Sequence, residues 1–385
     1  MTARLSRDVG QKRKAPQMND RFVAVNVGTG DAFFLRRSNS RVLVDGCQAR
    51  GFLRRLRRAT SADTVNVLVC THNDSDHASG VIEFLEEGGS ADECWLPATW
   101  MEAVSRVCTA TRDEIESLVF SEDEELPEIV PREGEEVSAS QLSDQLEAII
   151  EGRESSPLAW LGSPGWLCIP PGIVVPRQLV LSRRVVHPLL EDAVRIVAIA
   201  LAAHRLQIPI RWFDPETMPT ASTSTFLNVL NAREVTSMRR STLPLRGVVN
   251  LTTVNRLSLV LYSPPSDKAP GVLFCSDSGL RNVPSPPSDR GMIVTAPHHG
   301  SADPENVAVY NLLDTAGSEA VPGSWLWVRS DRDCSARPCP EYLKRDIRYC
   351  TRCRGRSRAQ ASQDVVLDAT GGAWASTSRR CNCTP

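Results

Sequence analysis

The stretch Val65-Asn66-Val67-Leu68-Val69-Cys70-Thr71-His72-Asn73-Asp74-Ser75-Asp76-His77 decides how this chain is read. Its first six residues are mostly apolar and rich in β-branched side chains, the pattern of a buried strand. The remainder reads H-x-D-x-D-H, so imidazoles and carboxylates gather on the loop that leaves the strand end, where binding groups are commonly carried. A second motif, Ala296-Pro297-His298-His299-Gly300-Ser301, follows the strand pattern Met292 to Thr295. The two motifs hold four of the six histidines, and a third cluster, Leu273-Phe274-Cys275-Ser276-Asp277-Ser278-Gly279, ends another strand pattern in a carboxylate.

A dinuclear hydrolytic centre needs such ligands converging from several loops, with positions left open for water and substrate. His72 and Asp74 alternate and can face one ion, while adjacent Asp76 and His77 can turn to a second. Asp277 can bridge both, and either His298 or His299 can close the second site. Singly, each of these residues reads as an ordinary turn or solvated side chain, and Ser75 or Asp76 could equally cap the helix expected at Gly80 to Glu86. It is the joint pattern that points to metal.

Around these motifs, Arg21 to Val27, Ala32 to Arg36 and Arg41 to Asp45 read as short strands separated by turn compositions. A basic tail (1–20) precedes a main domain (21–330), and a helical and irregular insertion occupies about 101–206. That insertion contains an acidic run around Glu122 to Glu125, a Trp/Pro/Gly-rich stretch (Trp160 to Pro176) and an apolar helix, Leu189 to Leu206. Strand patterns return at Ile208 to Trp212 and Leu257 to Tyr262. Residues 331–385 form a Cys-rich, basic extension. No repeat at a fixed period of 20 to 50 residues is evident, which argues against a solenoid or propeller.

The 385 residues have ordinary globular composition, with no apolar run of about 18 residues and a basic, polar start, so a cytoplasmic protein without a membrane segment is expected. Six of the twelve cysteines fall between Cys334 and Cys383. In a long chain without an export signal this favours reduced thiols and a metal site over a disulfide framework. Cys350-Thr351-Arg352-Cys353 is a C-x2-C knuckle, and Cys381-Asn382-Cys383 supplies two further thiols. Four thiolates suit a closed structural zinc site, for which Cys334 and Cys339 are competing donors. The surrounding arginines (Arg345, Arg348, Arg352, Arg354, Arg356, Arg358) are of the kind that contact phosphate backbones, or neutralise the acidic insertion, itself a candidate protein-binding segment.

As an ordered set, these motifs resemble the metallo-β-lactamase superfamily, and within it the hydrolase domain of bacterial competence (DNA-uptake) channel proteins and related soluble hydrolases. Val27-Gly28-Thr29-Gly30-Asp31-Ala32, Leu43-Val44-Asp45-Gly46, Asn255-Arg256-Leu257-Ser258-Leu259-Val260 and Pro297 to Ser301 carry the resemblance, which covers roughly 21–100 and 207–315. It implies an α/β fold (α+β in some schemes), the αββα sandwich, and two divalent ions. His72, Asp74 and Asp277 would hold the first ion, and Asp76, His77, Asp277 and His299 the second. His299 is preferred because it directly precedes Gly300, leaving His298 to face the substrate's oxyanion, while Gly30, Asp31, Asp45, Asn255 and Ser301 stand behind the ligands. The family's further histidine has no counterpart, since His187 and His204 lie in the insertion. Asp74 stands where histidine is common, which keeps Mn²⁺ beside Zn²⁺. The implied activity is hydrolysis by a metal-bound hydroxide oriented by Asp76, on phosphodiester bonds, most naturally in nucleic acid. A small phosphoester or other ester is the rival substrate, and a non-catalytic, metal-stabilised module of a defence or DNA-processing complex the rival function.

Overall fold

Period-two alternation gives each strand two buried faces, and the two faces enter different cores. Phe22, Ala24, Phe33, Leu35, Val42, Val44, Val67 and Val69 share one core with Leu261, Val272, Phe274, Ile293, Leu326 and Val328. The intervening Val23, Phe34, Leu43 and Leu68 face a second core built with helices. Leu273, Val294 and Trp327 face a third. Two sheets therefore share an apolar layer, and each presents its other face to helices.

The computed structural model describes residues 19–47, 50–120, 130–152, 166–169, 173–176, 188–217, 226–316, 325–331, 337–353, 355–357 and 360–384. Most of the basic tail, Glu122 to Glu125, His187, Cys334, Arg354 and Arg358 lie outside the described residues. Among those described, nine strands form a mixed sheet in the spatial order Arg233–Val235, Ile210–Asp214, Ser90–Pro97, Thr64–Val69, Ser40–Val44, Phe33–Arg37, Arg21–Ala24, Val365–Thr370 and Ala373–Ser376. A second, six-stranded sheet runs Asn228–Val229, Leu261–Ser263, Val272–Phe274, Ile293–Thr295, Leu326–Arg329 and Arg348–Cys350. The fold is mixed α/β. No helix among the described residues is long and apolar enough to cross a membrane.

Parallel pairing places the site. Ser40–Val44, Thr64–Val69 and Ser90–Pro97 are parallel neighbours in the first sheet. Val272–Phe274, Ile293–Thr295 and Leu326–Arg329 are parallel neighbours in the second. Parallel strands release their following loops at one end of the sheet, so Asp45, Thr71 to Asp74, Asp277, His298 and Asp331 all emerge together.

Several expectations shift. The helix after the H-x-D-x-D-H loop spans Ser75–Glu86 rather than starting at Gly80, so Asp76 and His77 ride on its first turn. Asp74 takes the N-cap position without a side-chain capping bond. Of the expected strand Leu257 to Tyr262, Asn255–Leu257 is a 3-10 turn and the strand is Leu261–Ser263. The amides between them are spent elsewhere, that of Leu259 on Thr71 O and that of Val260 on Asn231 Oδ1. The insertion's helices Thr99–Thr109, Ala139–Ile150 and Pro188–Arg205 pack on the outer face of the first sheet. The residues set apart as a C-terminal extension, 331–385, are woven into both sheets: Arg348–Cys350 pairs with Leu326–Arg329, and Val365–Thr370 with Arg21–Ala24.

Arg37 ties the sheets together. Its guanidinium is buried, donating to Asp20 Oδ2 at 3.2 Å, Ser263 Oγ at 3.0 Å and the carbonyls of Ala269 and Pro270. Removing one partner leaves the other charge buried and unpaired, so Arg37→Ala is expected to lower unfolding free energy by about 3–5 kcal/mol, read by chemical denaturation. Burial alone would raise the Asp20 pKa, but hydrogen bonds from Ser266, the Ser38 amide and Arg37 outweigh it and hold it below 3.8. A lowered folded value means that this carboxylate's contribution is full above the unfolded pKa and fades as pH falls through the folded one.

Candidate metal centre

Strained backbone converges here. Asp45, Ser276, His298 and His299 are non-glycine residues with φ of 60°, 52°, 43° and 54°, in the left-handed region that costs such residues about 1–3 kcal/mol each. The His298–His299 turn is held by the His298 amide on Ser276 O and the Ser301 amide on His298 O, both at 2.9 Å. Gly30 supplies a close approach: its amide donates to Asp331 Oδ1, and a Cβ there would lie 1.8 Å from the Asp76 carbonyl oxygen.

Two groups of donors share Asp277. One is His72, Asp74 and Asp277; the other is Asp31, His77, Asp277 and His299; within each, the ligand atoms lie within 4.8 Å of one another. His72 Nε2 stands 3.6 Å from Asp74 Oδ2 and 3.8 Å from Asp277 Oδ2. His77 Nε2 is 3.4 Å from Asp277 Oδ1, and His299 Nε2 is 3.7 Å from Asp277 Oδ2. Asp76 reaches the same place from the helix, its Oδ2 3.5 Å from His299 Nε2.

The outer nitrogens are anchored by carboxylates. His77 Nδ1 meets Asp45 Oδ2 at 2.8 Å, and His299 Nδ1 meets Asp31 Oδ1 at 2.9 Å. A carboxylate only accepts, so each Nδ1 carries its proton and each neutral ring turns a bare Nε2 lone pair inward. In that neutral form the two lone pairs would face each other across 3.1 Å. Without a cation or an extra proton they would repel. Zn–N bonds of about 2.0–2.1 Å in tetrahedral geometry place two ligand nitrogens roughly 3.3 Å apart, close to what is seen. Asp277 Oδ1 and His72 Nε2 are buried with no hydrogen-bond partner among the described residues, as ligand atoms awaiting an ion would be. These residues fit a divalent ion in both groups.

Burial disfavours the charged form of His77 and His299. Even so, Asp277 and Asp45 raise His77 well above its ordinary pKa, and Asp31 and Asp277 bring His299 to about 10. Asp277, whose burial alone would raise it, is held well below the carboxylate range by His77, His299 and His72. Metal-free, the cluster therefore gathers protons that an ion would displace.

His298 stays outside this exchange. Its Nε2 lies 3.5 Å from Asp277 Oδ2 and 3.0 Å from Arg337 Nη2, and its Nδ1 lies 3.0 Å from the Asn306 amide. Arg337 can only donate, so Nε2 accepts. Burial lowers the His298 pKa, and the charges of Arg337, His299 and His72 act in the same direction against the opposing pull of Asp277, leaving it below its ordinary value. Asn255 opens a 3-10 turn, and the Ser301 hydroxyl accepts from the Asp303 amide.

Sequence reading missed the supports. Thr71 Oγ1 donates to Asp45 Oδ2 and receives Ser276 Oγ, both at 2.8 Å, beside His72 Nδ1. Arg195 binds the Asn73 carbonyl and Asp192, so the insertion's long helix braces the ligand loop. The available signal was the charged group Glu191, Asp192 and Arg195 opening a helix whose middle is apolar. His204 on the same helix pairs with Glu147 instead. Beside Asp74 and Asp76 lies a cavity of about 630 Å³, walled by Leu189, Glu191, Asp192 and Arg195.

The four tail thiols also meet. Cys350, Cys353, Cys381 and Cys383 are all buried with their sulfurs within 4.8 Å of one another, and Cys353 Sγ is 3.9 Å from Cys381 Sγ and 3.5 Å from Cys383 Sγ. The amides of Asn382 and Cys383 donate to sulfurs, at 3.2 and 3.4 Å. The Cys350 hydrogen bond draws the Cys353 thiol down to about 6. Tetrahedral Zn–S bonds of about 2.3 Å put sulfurs roughly 3.8 Å apart, so this set could hold a metal ion; Cys339 packs by Tyr310 and is not part of it. Buried Arg329 spans the two centres, Nη1 donating to His299 O at 3.5 Å and Nη2 to Arg352 O at 3.2 Å. Compared with protein-family models the chain matches none, and a search of curated proteins finds no match to it.

Proposed function

We propose that this chain is a metal-dependent hydrolase of metallo-β-lactamase type, acting on phosphodiester bonds, with nucleic acid as the substrate class. The observation that carries the reading is the pair of opposed Nε2 atoms of His77 and His299, each backed by a carboxylate and both beside Asp277. The layering of two sheets between helices, and the emergence of all ligand loops at one end, support the sandwich assignment. His72, Asp74 and Asp277 would hold one ion, and Asp76, His77, Asp277 and His299 the other, with zinc favoured by the imidazoles and manganese by the carboxylates.

Bound ions supply an acidified water and positive charge for the oxygens of an in-line displacement. The chain does the rest. Asp45 and Asp31 hold the Nδ1 protons of His77 and His299, fixing both rings. Asp76, partly exposed at the mouth, is placed to accept a hydrogen bond from the attacking water. Arg337, beside His298, brings a fixed cation to the rim where a phosphoryl oxygen gains charge, which favours phosphate over neutral esters. A small phosphoester remains a second reading because Glu191 and Asp192 wall the adjacent cavity and repel a polyanion.

The test is cleavage of single- and double-stranded DNA and RNA by metal-loaded protein, alongside chromogenic phosphodiesters. Asp76→Ala and His77→Ala should each lower turnover on the order of 10²–10⁴-fold. Cleavage surviving both substitutions defeats the reading; activity on chromogenic esters alone selects the small substrate.

A further inference from the structure

The loops that carry the two cysteine pairs also wall a separate cavity of about 410 Å³. Arg356, Arg379 and Arg380 line it with Ser357, Gln360 and Asn382, and among the described residues no carboxylate and no apolar side chain does. Arginines beside four sulfurs could simply balance thiolate charge. Arg329, buried against Cys350, already serves that role. The three cavity arginines are additional. Arg356 spends Nη2 on the Arg380 carbonyl, while its Nη1 is buried without a hydrogen-bond partner among the described residues. Arg379 donates from Nη2 to Gln360 O, which spans the cavity's two walls. At Gly355 those walls touch so closely that a Cβ would lie 2.1 Å from Asn382 O. The cavity thus lies between the two loops that bring the four cysteines together.

We propose that this cavity is a docking site for the phosphodiester backbone of nucleic acid, feeding the hydrolytic centre proposed above, on which reading the choice of ligand rests. Three guanidinium groups give this concavity its positive charge, Arg379 and Arg380 from exposed positions, and a polar lining with no carboxylate among the described residues suits an anion such as phosphate. With no base-stacking aromatic among the described lining residues, the arginines are placed to contact the backbone, which carries no sequence information.

The experiment uses the full chain carrying Asp76→Ala, so that hydrolysis is silenced, with labelled single-stranded and duplex oligonucleotides followed by fluorescence anisotropy across a salt series. The triple variant Arg356→Gln/Arg379→Gln/Arg380→Gln should bind at least about tenfold more weakly at low salt, with the slope of log affinity against log salt reduced by about 2. Arg380→Gln alone, at an exposed position, should reduce that slope by about 0.7–0.9, which covers failure of the triple variant to fold. Unchanged affinity and slope in both variants overturn the proposal. So does polyglutamate competing as well as oligonucleotide, which would assign the site to an acidic polypeptide. Because binding is read without turnover, its loss leaves the hydrolase reading standing, and an absence of cleavage leaves the binding result standing.

Discussion

Asp277→Asn is expected to abolish turnover and to strip the cluster of most of its metal. Asp277 belongs to both donor groups and faces four imidazoles, with Oδ1 toward His77 and Oδ2 toward His72, His298 and His299. The amide keeps the shape but loses the charge that draws an ion, or a proton, into a buried site. Several kcal/mol of charge stabilisation would go with it, corresponding to a fall on the order of 10³-fold or more in kcat/KM. Elemental analysis should show loss of up to about two ions per chain relative to the unaltered protein, with any ion on the four cysteines retained. Full metal content and full activity in this variant would remove the basis for a dinuclear site. The metal-free form gives an independent check. Two imidazoles that Asp277 holds in their charged form lose their counter-charge, so metal-free Asp277→Asn should unfold more easily than the metal-free parent.

The second large effect concerns the tail. Cys381→Ser/Cys383→Ser, or removal of metal by a strong chelator, should lower the thermal midpoint by about 10 °C or more, measured by circular dichroism. The size follows from connectivity. Cys350 ends a strand of the second sheet, and Cys381 and Cys383 follow the hairpin whose strand Val365–Thr370 closes onto Arg21–Ala24 of the first. Loosening the four sulfurs therefore frees edges of both sheets. Thiol titration should release one metal equivalent per chain if zinc sits there. Immediate reaction of all four thiols, no metal and an unchanged midpoint would reduce the cluster to packing.

The ligand groups were legible because each sits within a few residues of an apolar strand pattern, and period-two alternation needs only local sequence. Asp45 and Asp31 were placed behind the ligands by the resemblance, and nothing local showed which imidazole each would hold. Pairing partners were not legible: Arg21 and Asp368 meet in register and by a side-chain ion pair. Alternation says that a strand exists, not where in a sheet it goes. The Cys- and Arg-rich composition of 331–385 hid its strands, and with them Asp331 and Arg337, whose bond at 3.0 Å brings a cation to the rim. The Ser75–Glu86 helix began a turn early for a related reason. The Gly46 amide donates to His77 O and the Gly80 amide to Gly46 O, so a tertiary contact secures the first turn.

Arg329 links matters that a domain diagram would separate. One guanidinium bonds the backbone of His299 and the backbone between the knuckle cysteines, so the sulfur cluster acts as a distant abutment for an arch whose keystone is His299. A version trimmed before Cys350 would lose that buttress, and thiol-oxidising stress at one end of the molecule would be felt as slack at the other.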